Sequence, residues 1–303
     1  LQTVLPILAV KEGTFRTSTL LGSIKSRITA DNSKKIQLAI SSFEKYMDVN
    51  ALEEKIVTFV PEGITPHMFQ YQLTRRAKTS IKHIVLPEGN DDRILKAAAR
   101  LINQEIVELT LLGDAAEIAA AVKRLGLNFD LQRIKIIDPV KSEYFDDYAA
   151  TLAELRKSKN LALDAARDLM TDVSYFGTMM VYKGHADGMV SGALHTTQHT
   201  IRPALQFVKT KPGISVVSSV FFMCLPDRVC VFGDCAVNPD PTAEQLAEIA
   251  ISSAASSQIF GIEPRIAMLS CSSGTSGEGA DVDKVRLATQ IIKEKRPDLK
   301  VEG

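Results

Sequence analysis

Three stretches of this 303-residue chain gather the residue types that hold anions. The first runs Val190-Ser191-Gly192-Ala193-Leu194-His195-Thr196-Thr197, with Thr200-Ile201-Arg202-Pro203 behind it. Glycine admits close backbone approach, and hydroxyl and N–H groups donate to oxygen. Pro203 suits the first turn of a helix, which would set Arg202 beside a helix N-terminus. A guanidinium there, together with the positive end of the helix dipole, makes a phosphate site. The second stretch is Phe232-Gly233-Asp234-Cys235-Ala236-Val237-Asn238-Pro239-Asp240-Pro241. The third, Leu269-Ser270-Cys271-Ser272-Ser273-Gly274-Thr275-Ser276-Gly277-Glu278-Gly279, holds three glycines, five hydroxyls and one carboxylate. It reads either as a contact to phosphate or pantetheine or as a glycine-rich surface turn.

Other chemistries lose support. There is no GxxxxGK[ST] loop, no GxGxxG followed by a strand and an acid, and no HExxH among the five histidines. No GxSxG elbow presents a serine, and nothing in the sequence identifies an acid to orient His195, which reads as a loop hydrogen-bonder or a ligand contact. The four cysteines, Cys224, Cys230, Cys235 and Cys271, lack CxxC spacing. Cys224 and Cys230 lie on apolar runs and read as small core residues; nothing adjacent activates Cys235 or Cys271. Arg156, in Leu155-Arg156-Lys157-Ser158-Lys159, ends a helix and, taken alone, opposes the helix dipole.

The elements that must position these loops alternate. Ile84-Val85-Leu86 forms a strand ending at Pro87-Glu88-Gly89, followed by a helix with Ile94, Leu95, Ala98, Leu101 and Ile102 on one face. A strand over 107–112 leads to a helix capped by Asp114, with Glu117 three residues on and Gly126 past its end. Strand 134–137 precedes a helix over 143–157. Further strands are expected at 188–190, 214–222, 229–232 and 266–269. Thr242 and Gln245 form a capping box for a helix carrying Leu246, Ile249, Ala250 and Ala254. Such alternation implies an α/β fold with parallel strands and right-handed crossovers. In that class, ligands sit beyond the carboxyl ends of strands.

Residues 1–63 read differently. A Thr/Ser-rich stretch over 14–26 precedes a helix with Ile36, Ile40, Phe43 and Met47, ending near Val49. Val60-Pro61-Glu62-Gly63-Ile64-Thr65-Pro66 has linker chemistry. The expected division is 1–63, the end of a separate small domain with its linker; 64–213, a first α/β lobe; and 214–303, a second, incomplete one.

Composition bounds the function. The 45% apolar and 24% charged content suits a globular chain long enough for two cores. Its 36 Lys and Arg balance 36 Asp and Glu, leaving no basic excess for nucleic acid. The greasiest run, Val216 to Leu225, is broken by Ser218 and Ser219 and reads as a buried strand, not a membrane span. Few cysteines fit a reducing cytosol. The chain opens on Leu1-Gln2-Thr3 and stops at Val301-Glu302-Gly303, so a fragment of a longer protein is expected.

Several of these stretches closely resemble the bacterial phosphate acetyltransferases. They are 191–197, Thr200 to Gln206, Lys209-Thr210, Pro212-Gly213, Ser218 to Met223, Gly233 to Ala247 and 272–277. The resemblance covers 65–303, and residues 1–60 look like the end of a regulatory region. It implies two lobes around a cleft, like those of isocitrate and isopropylmalate dehydrogenases, in a cytoplasmic homodimer. It further implies reversible acetyl transfer between CoA and phosphate in a ternary complex, with CoA, acetyl phosphate and phosphate as partners and neither a tightly bound cofactor nor a metal. The CoA thiolate would attack directly, with no acyl-enzyme. Arg202 would bind phosphate or acyl phosphate, and Arg156 would bind CoA or stabilise charge. Ser191, Gly192, His195, Thr196, Thr197, Asp234, Asn238, Ser270, Ser272, Gly274, Thr275 and Ser276 would contact substrate. The family's Ser-Arg segment and the aspartate proposed as thiol base lie beyond residue 303, so weak activity of the isolated chain is expected. Two alternatives share the resemblance: a phosphate butyryltransferase, and a non-catalytic acetyl-CoA-sensing module like that of some malic enzymes.

Overall fold

A computed structural model describes residues 33–58, 63–272 and 276–303. The Thr/Ser-rich stretch and Val60, Pro61 and Glu62 lie outside the described residues. Helix α1 spans Ser33–Tyr46 and α2 spans Val49–Thr58. The expected helix end near Val49 is thus a break between two helices, where the Asp48 carboxylate accepts from the N–H of Ala51 at 3.0 Å. Thr65 caps α3 (Pro66–Thr79), with Pro66 in its first turn.

There follow β1 (His83–Leu86), α4 (Asp92–Gln104), β2 (Glu108–Leu112), α5 (Ala115–Arg124) and β3 (Ile134–Ile137). Next come α6 (Phe145–Leu155), α7 (Leu163–Met170), α8 (Val173–Tyr182) and β4 (Gly188–Met189). The expected 143–157 helix is shorter, because Arg156 closes α6 and a single 3₁₀ turn, Lys157–Lys159, follows. The four strands form one parallel sheet in the order β3-β2-β1-β4. Both faces are covered, which is why the buried positions of its strands are apolar apart from Thr110, whose hydroxyl pairs with the His83 ring at 2.7 Å. Leu86, Leu109, Leu111 and Ile134 pack with Leu95, Ala98, Ile102, Ile118 and Val122 of α4 and α5. On the other face Val85, Leu112 and Ile137 meet Tyr148, Leu152, Met170, Phe176 and Met179. Each fully buried large side chain contributes about 1.5–3 kcal/mol relative to exposure.

Helix α9 (Thr197–Pro203) runs into one π-helical turn, Ala204–Val208. Strands β5 (Val220–Cys224) and β6 (Val229–Gly233) then form an antiparallel hairpin, departing from the parallel pattern. The expected strand from residue 214 begins only at Val220, because side chains take the preceding donors: Ser215 N–H donates to Glu248 and Ser219 N–H to Asp234. Nor is this run buried. Among the described residues the hairpin pairs with no further strand, so Phe221 is 55% and Phe232 53% exposed, and Cys224 is an exposed residue and Cys230 a half-buried one, not core.

Helix α10 (Ala243–Ile259), β7 (Arg265–Ala267), α11 (Ala280–Lys295) and β8 (Lys300–Glu302) complete the chain, with β7 and β8 parallel. The strand expected over 266–269 ends at Ala267, leaving Leu269 84% exposed. Both capping-box bonds between Thr242 and Gln245 are present. A separate apolar cluster forms here from Ala247, Ala250, Ala254, Ala288, Ile292, Leu299 and Val301. Helix α3, although it directly precedes β1, packs against this second part. Phe69 stacks on Phe222 at 5.3 Å and lies 6.1 Å from Phe260. No helix among the described residues is long and apolar enough to cross a membrane.

Candidate functional site

The sheet order locates the first loop. The chain moves from β1 to β2 and β3 on one side, then returns to place β4 on the other side of β1. The order therefore reverses between β1 and β4, and the crevice beyond their carboxyl ends is where open α/β sheets bind ligands. The β1 loop carries Glu88 there, and the β4 loop carries Ser191 to Thr197.

Glu88, which sequence reasoning missed, organises that crevice. Its side chain is fully buried, at 0% exposure. One carboxylate oxygen accepts from the N–H groups of Gly192 and Ala193 at 3.0 and 2.8 Å, and the other from Leu194 and His195 at 2.6 and 3.0 Å. His195 Nδ1 adds a fifth contact at 2.9 Å. Burial pushes the carboxyl up, but the N–H groups of Leu194, Ala193 and His195 and the His195 ring outweigh it, bringing the pKa to about 2. An ionised carboxylate only accepts, so His195 donates to it through Nδ1. The acid that orients His195 is therefore Glu88. The His195 ring stacks on His199 at 4.7 Å, and His199 Nε2 donates to Asp172, which also caps α8. Gly192 holds a φ of 114°, a conformation that suits glycine.

Thr196, not Pro203, marks the start of the following helix: its hydroxyl accepts from the N–H of His199 at 3.2 Å. Arg202 accordingly lies in the last turn of α9, not beside a helix N-terminus, and Pro203 falls where the α-helix passes into the π turn. Arg202 is exposed and has no carboxylate partner among the described residues. It lines a pocket of about 730 Å³ with Thr197, Gln198, Ile201, Leu205, Ala236 and Val237. The first two anion-holding stretches thus face each other across one cavity. Arg156, half-buried, meets the other end of the same helical segment, its Nη1 donating to the carbonyl of Gln206 at 3.4 Å. The hydroxyls of Ser191 and Thr200 are buried without a protein partner.

Asp234 plays for the second loop the part Glu88 plays for the first. It accepts from Ser219 N–H and Oγ, from the N–H groups of Cys235, Val237 and Asn238, and from the Asn238 side chain. Burial acts to raise its pKa, but the Ser219 and Asn238 bonds outweigh it and hold it well below the usual carboxylate range. The Asn238 amide also donates to Val217 O at 2.8 Å, so both predicted polar residues are engaged in shaping the loop that carries Ala236 and Val237.

In the third loop Ser270 Oγ accepts from the N–H of Ser272, and Ser272 Oγ from the N–H of Gly277 at 2.8 Å. Arg286 of α11 donates to Gly277 O, and Ser276 is also engaged in an interaction. Gly274 and Thr275 lie outside the described residues. Among the described residues no group of three or more His, Cys, Asp or Glu is arranged to hold a metal ion.

Comparison with known proteins places this geometry. The sequence pattern of the phosphate acetyl/butaryl transferase family matches residues 68–303. The phosphate acetyltransferase of Nitratidesulfovibrio vulgaris is 52% identical over 299 residues, which are 99% of this chain and 42% of that protein. That of Synechocystis sp. is 54% identical over 298 residues, covering 98% and 43%. The chain thus spans well under half the length of these two relatives. A phosphotransacetylase structure from Streptococcus pyogenes superimposes with a TM-score of 0.74 at 44% identity, covering 79% of this chain and 73% of that one.

Proposed function

The chain belongs to the phosphate acetyl/butaryl transferase family, and from that premise we propose that it carries the acetyl-transfer site of a phosphate acetyltransferase. The reaction is acetyl-CoA plus phosphate giving acetyl phosphate plus CoA, run in either direction within a ternary complex. In the direction of acetyl-CoA, the CoA sulfur, having lost its proton, forms a bond to the acetyl carbon. The carbon–oxygen bond to phosphate breaks, and inorganic phosphate leaves with the electron pair. No enzyme nucleophile is required.

One observation carries this reading: Arg202, a cation without a carboxylate partner among the described residues, stands on the wall of the 730 Å³ pocket between the two anion-holding loops. A guanidinium offers a planar fork to phosphate oxygens. Thr197, on the same pocket wall, supplies a neutral hydroxyl donor for the same anion. Ile201, Leu205, Ala236 and Val237 give the pocket an apolar side suited to the acetyl group and the pantetheine arm. Arg156, at the far end of the helical segment, is assigned to CoA. His195, Ser270, Ser272 and Ser276 are assigned to the cleft rim. Gly192, Thr196, Asp234 and Asn238 serve the site through backbone shape and capping. The wider reading is of two α/β lobes closing around a cleft in a cytoplasmic homodimer, preceded by a regulatory region.

CoA-dependent arsenolysis of acetyl phosphate by the full-length protein tests the proposal. Wild type should turn over, and Arg202→Ala should lose about 10²-fold or more in kcat/KM, the scale of removing one preorganised donor to developing charge. CoA binding without turnover by wild type would replace the enzyme reading with that of a sensing module. A preference for butyryl over acetyl phosphate would move the assignment to a butyryltransferase.

A further inference from the structure

Among the described residues the loop that presents Ser191 and His195 has no strand partner beyond Val190. Four consecutive N–H groups, Gly192 to His195, converge on the Glu88 carboxylate from about a hundred positions away in the sequence. Such a concave row of amides is the geometry that elsewhere receives an external anion. Here an internal carboxylate fills it, so these amides are taken and only the side chains that the loop carries are left for a substrate. The carboxylate is itself fixed. Gly89 N–H donates to Leu112 O at 3.1 Å, and a Cβ at Gly89 would stand 2.5 Å from that same oxygen, so the chain at Glu88 lies tight against the end of β2. Arg93 pins the loop from outside, donating to Ala193 O at 2.5 Å while paired with Asp91 at 2.8 Å.

We propose that Glu88 is a positioning residue for the acyl-phosphate end of the site: its buried carboxylate holds the Ser191–Thr197 loop in the one shape that delivers Ser191, His195 and the start of the Arg202 helix to the cleft. The proposal rests on the acetyl-transfer reading of that cleft. A glutamine at this position keeps one acceptor oxygen and turns an –NH₂ toward N–H donors, so it is isosteric but repels the loop. Aspartate keeps the charge but withdraws it by one methylene.

The test uses the full-length protein with Glu88→Gln and Glu88→Asp. Hydrogen exchange followed by mass spectrometry should show peptides over 191–197 exchanging at least tenfold faster in Glu88→Gln, with peptides over 282–292 unchanged. The KM for acetyl phosphate should rise tenfold or more while the KM for CoA stays within twofold. A mere loss of folded protein lowers the apparent kcat and moves neither KM. Glu88→Asp should give smaller changes of the same kind and decides the matter if Glu88→Gln does not fold. Unchanged loop exchange, or equal rises in both KM values, overturns the proposal. If wild type does not turn over acetyl phosphate, the acetyl-transfer reading falls, and the exchange experiment still shows whether Glu88 holds the loop.

Discussion

Glu88 and Asp234 each tie a loop as an ionised, internally satisfied carboxylate, whereas Arg202 on the pocket wall has no carboxylate partner among the described residues, as the proposed phosphate site needs. Burial alone would neutralise such a group; five donors around Glu88 reverse the balance. The consequence is measurable. Its pKa falls from the ordinary 4.5 to about 2 on folding. A depressed carboxyl stabilises the fold fully above the unfolded value and loses that contribution as pH drops through the folded one. The stabilisation is on the order of 3 kcal/mol. With Glu88→Gln as a reference that cannot titrate, the difference in urea unfolding free energy should be constant from pH 7 to about pH 5. It should then shrink steadily between about pH 4.5 and pH 2. A difference flat across that range would mean that the carboxylate contributes no stability through its charge. At this scale the sequence was half legible. Arg202 and Thr197 stand out by type and spacing, whereas Pro87-Glu88-Gly89 looks like turn punctuation because its partners lie in a distant loop.

Among the elements, legibility followed amphipathicity and caps. The helices α4, α5 and α10 carry one apolar stripe or an explicit capping signal, and each lies where pattern and caps put it. Helix α8 left no apolar stripe, because Ser174 to Met180 are all buried and no polar face marks a period; its one signal is the Asp172 cap. The β5–β6 hairpin misled for the opposite reason: an apolar run normally means a buried strand, but this ribbon shows one face to solvent. Two changes test the element-level account. Thr242→Ala removes one half of the α10 capping box and should cost about 1 kcal/mol in urea denaturation. Gly89→Ala should cost more, about 1–3 kcal/mol, because the methyl group would meet the backbone carbonyl of Leu112 rather than a flexible side chain. A neutral Gly89→Ala would show that β1 and β2 can part at their carboxyl ends without loss.

For the whole molecule, the pocket is useful only if its two walls hold their relative position. The first wall, the α9 segment with Arg202, belongs to the part built on the parallel sheet. The second, Ala236 and Val237, follows the β5–β6 hairpin. Helix α3 links them: it leads directly into β1, yet buries Phe69, 5% exposed, against Phe222 of the hairpin and Phe260 at the end of α10. Arg76, on the same helix, donates to the carbonyl of Ile259. This aromatic contact is the stronger tie, since an exposed polar contact contributes little. Phe69→Ala should therefore lower stability by about 3 kcal/mol, the scale of an aromatic truncated in a core. The loss should be local. Hydrogen exchange should accelerate over the β5–β6 hairpin and the end of α10 while β1 to β3 keep their protection, since none of the core around that sheet touches Phe69. Acceleration spread evenly over both parts would mean that they unfold as one unit, and that the walls of the pocket are held together by more than α3.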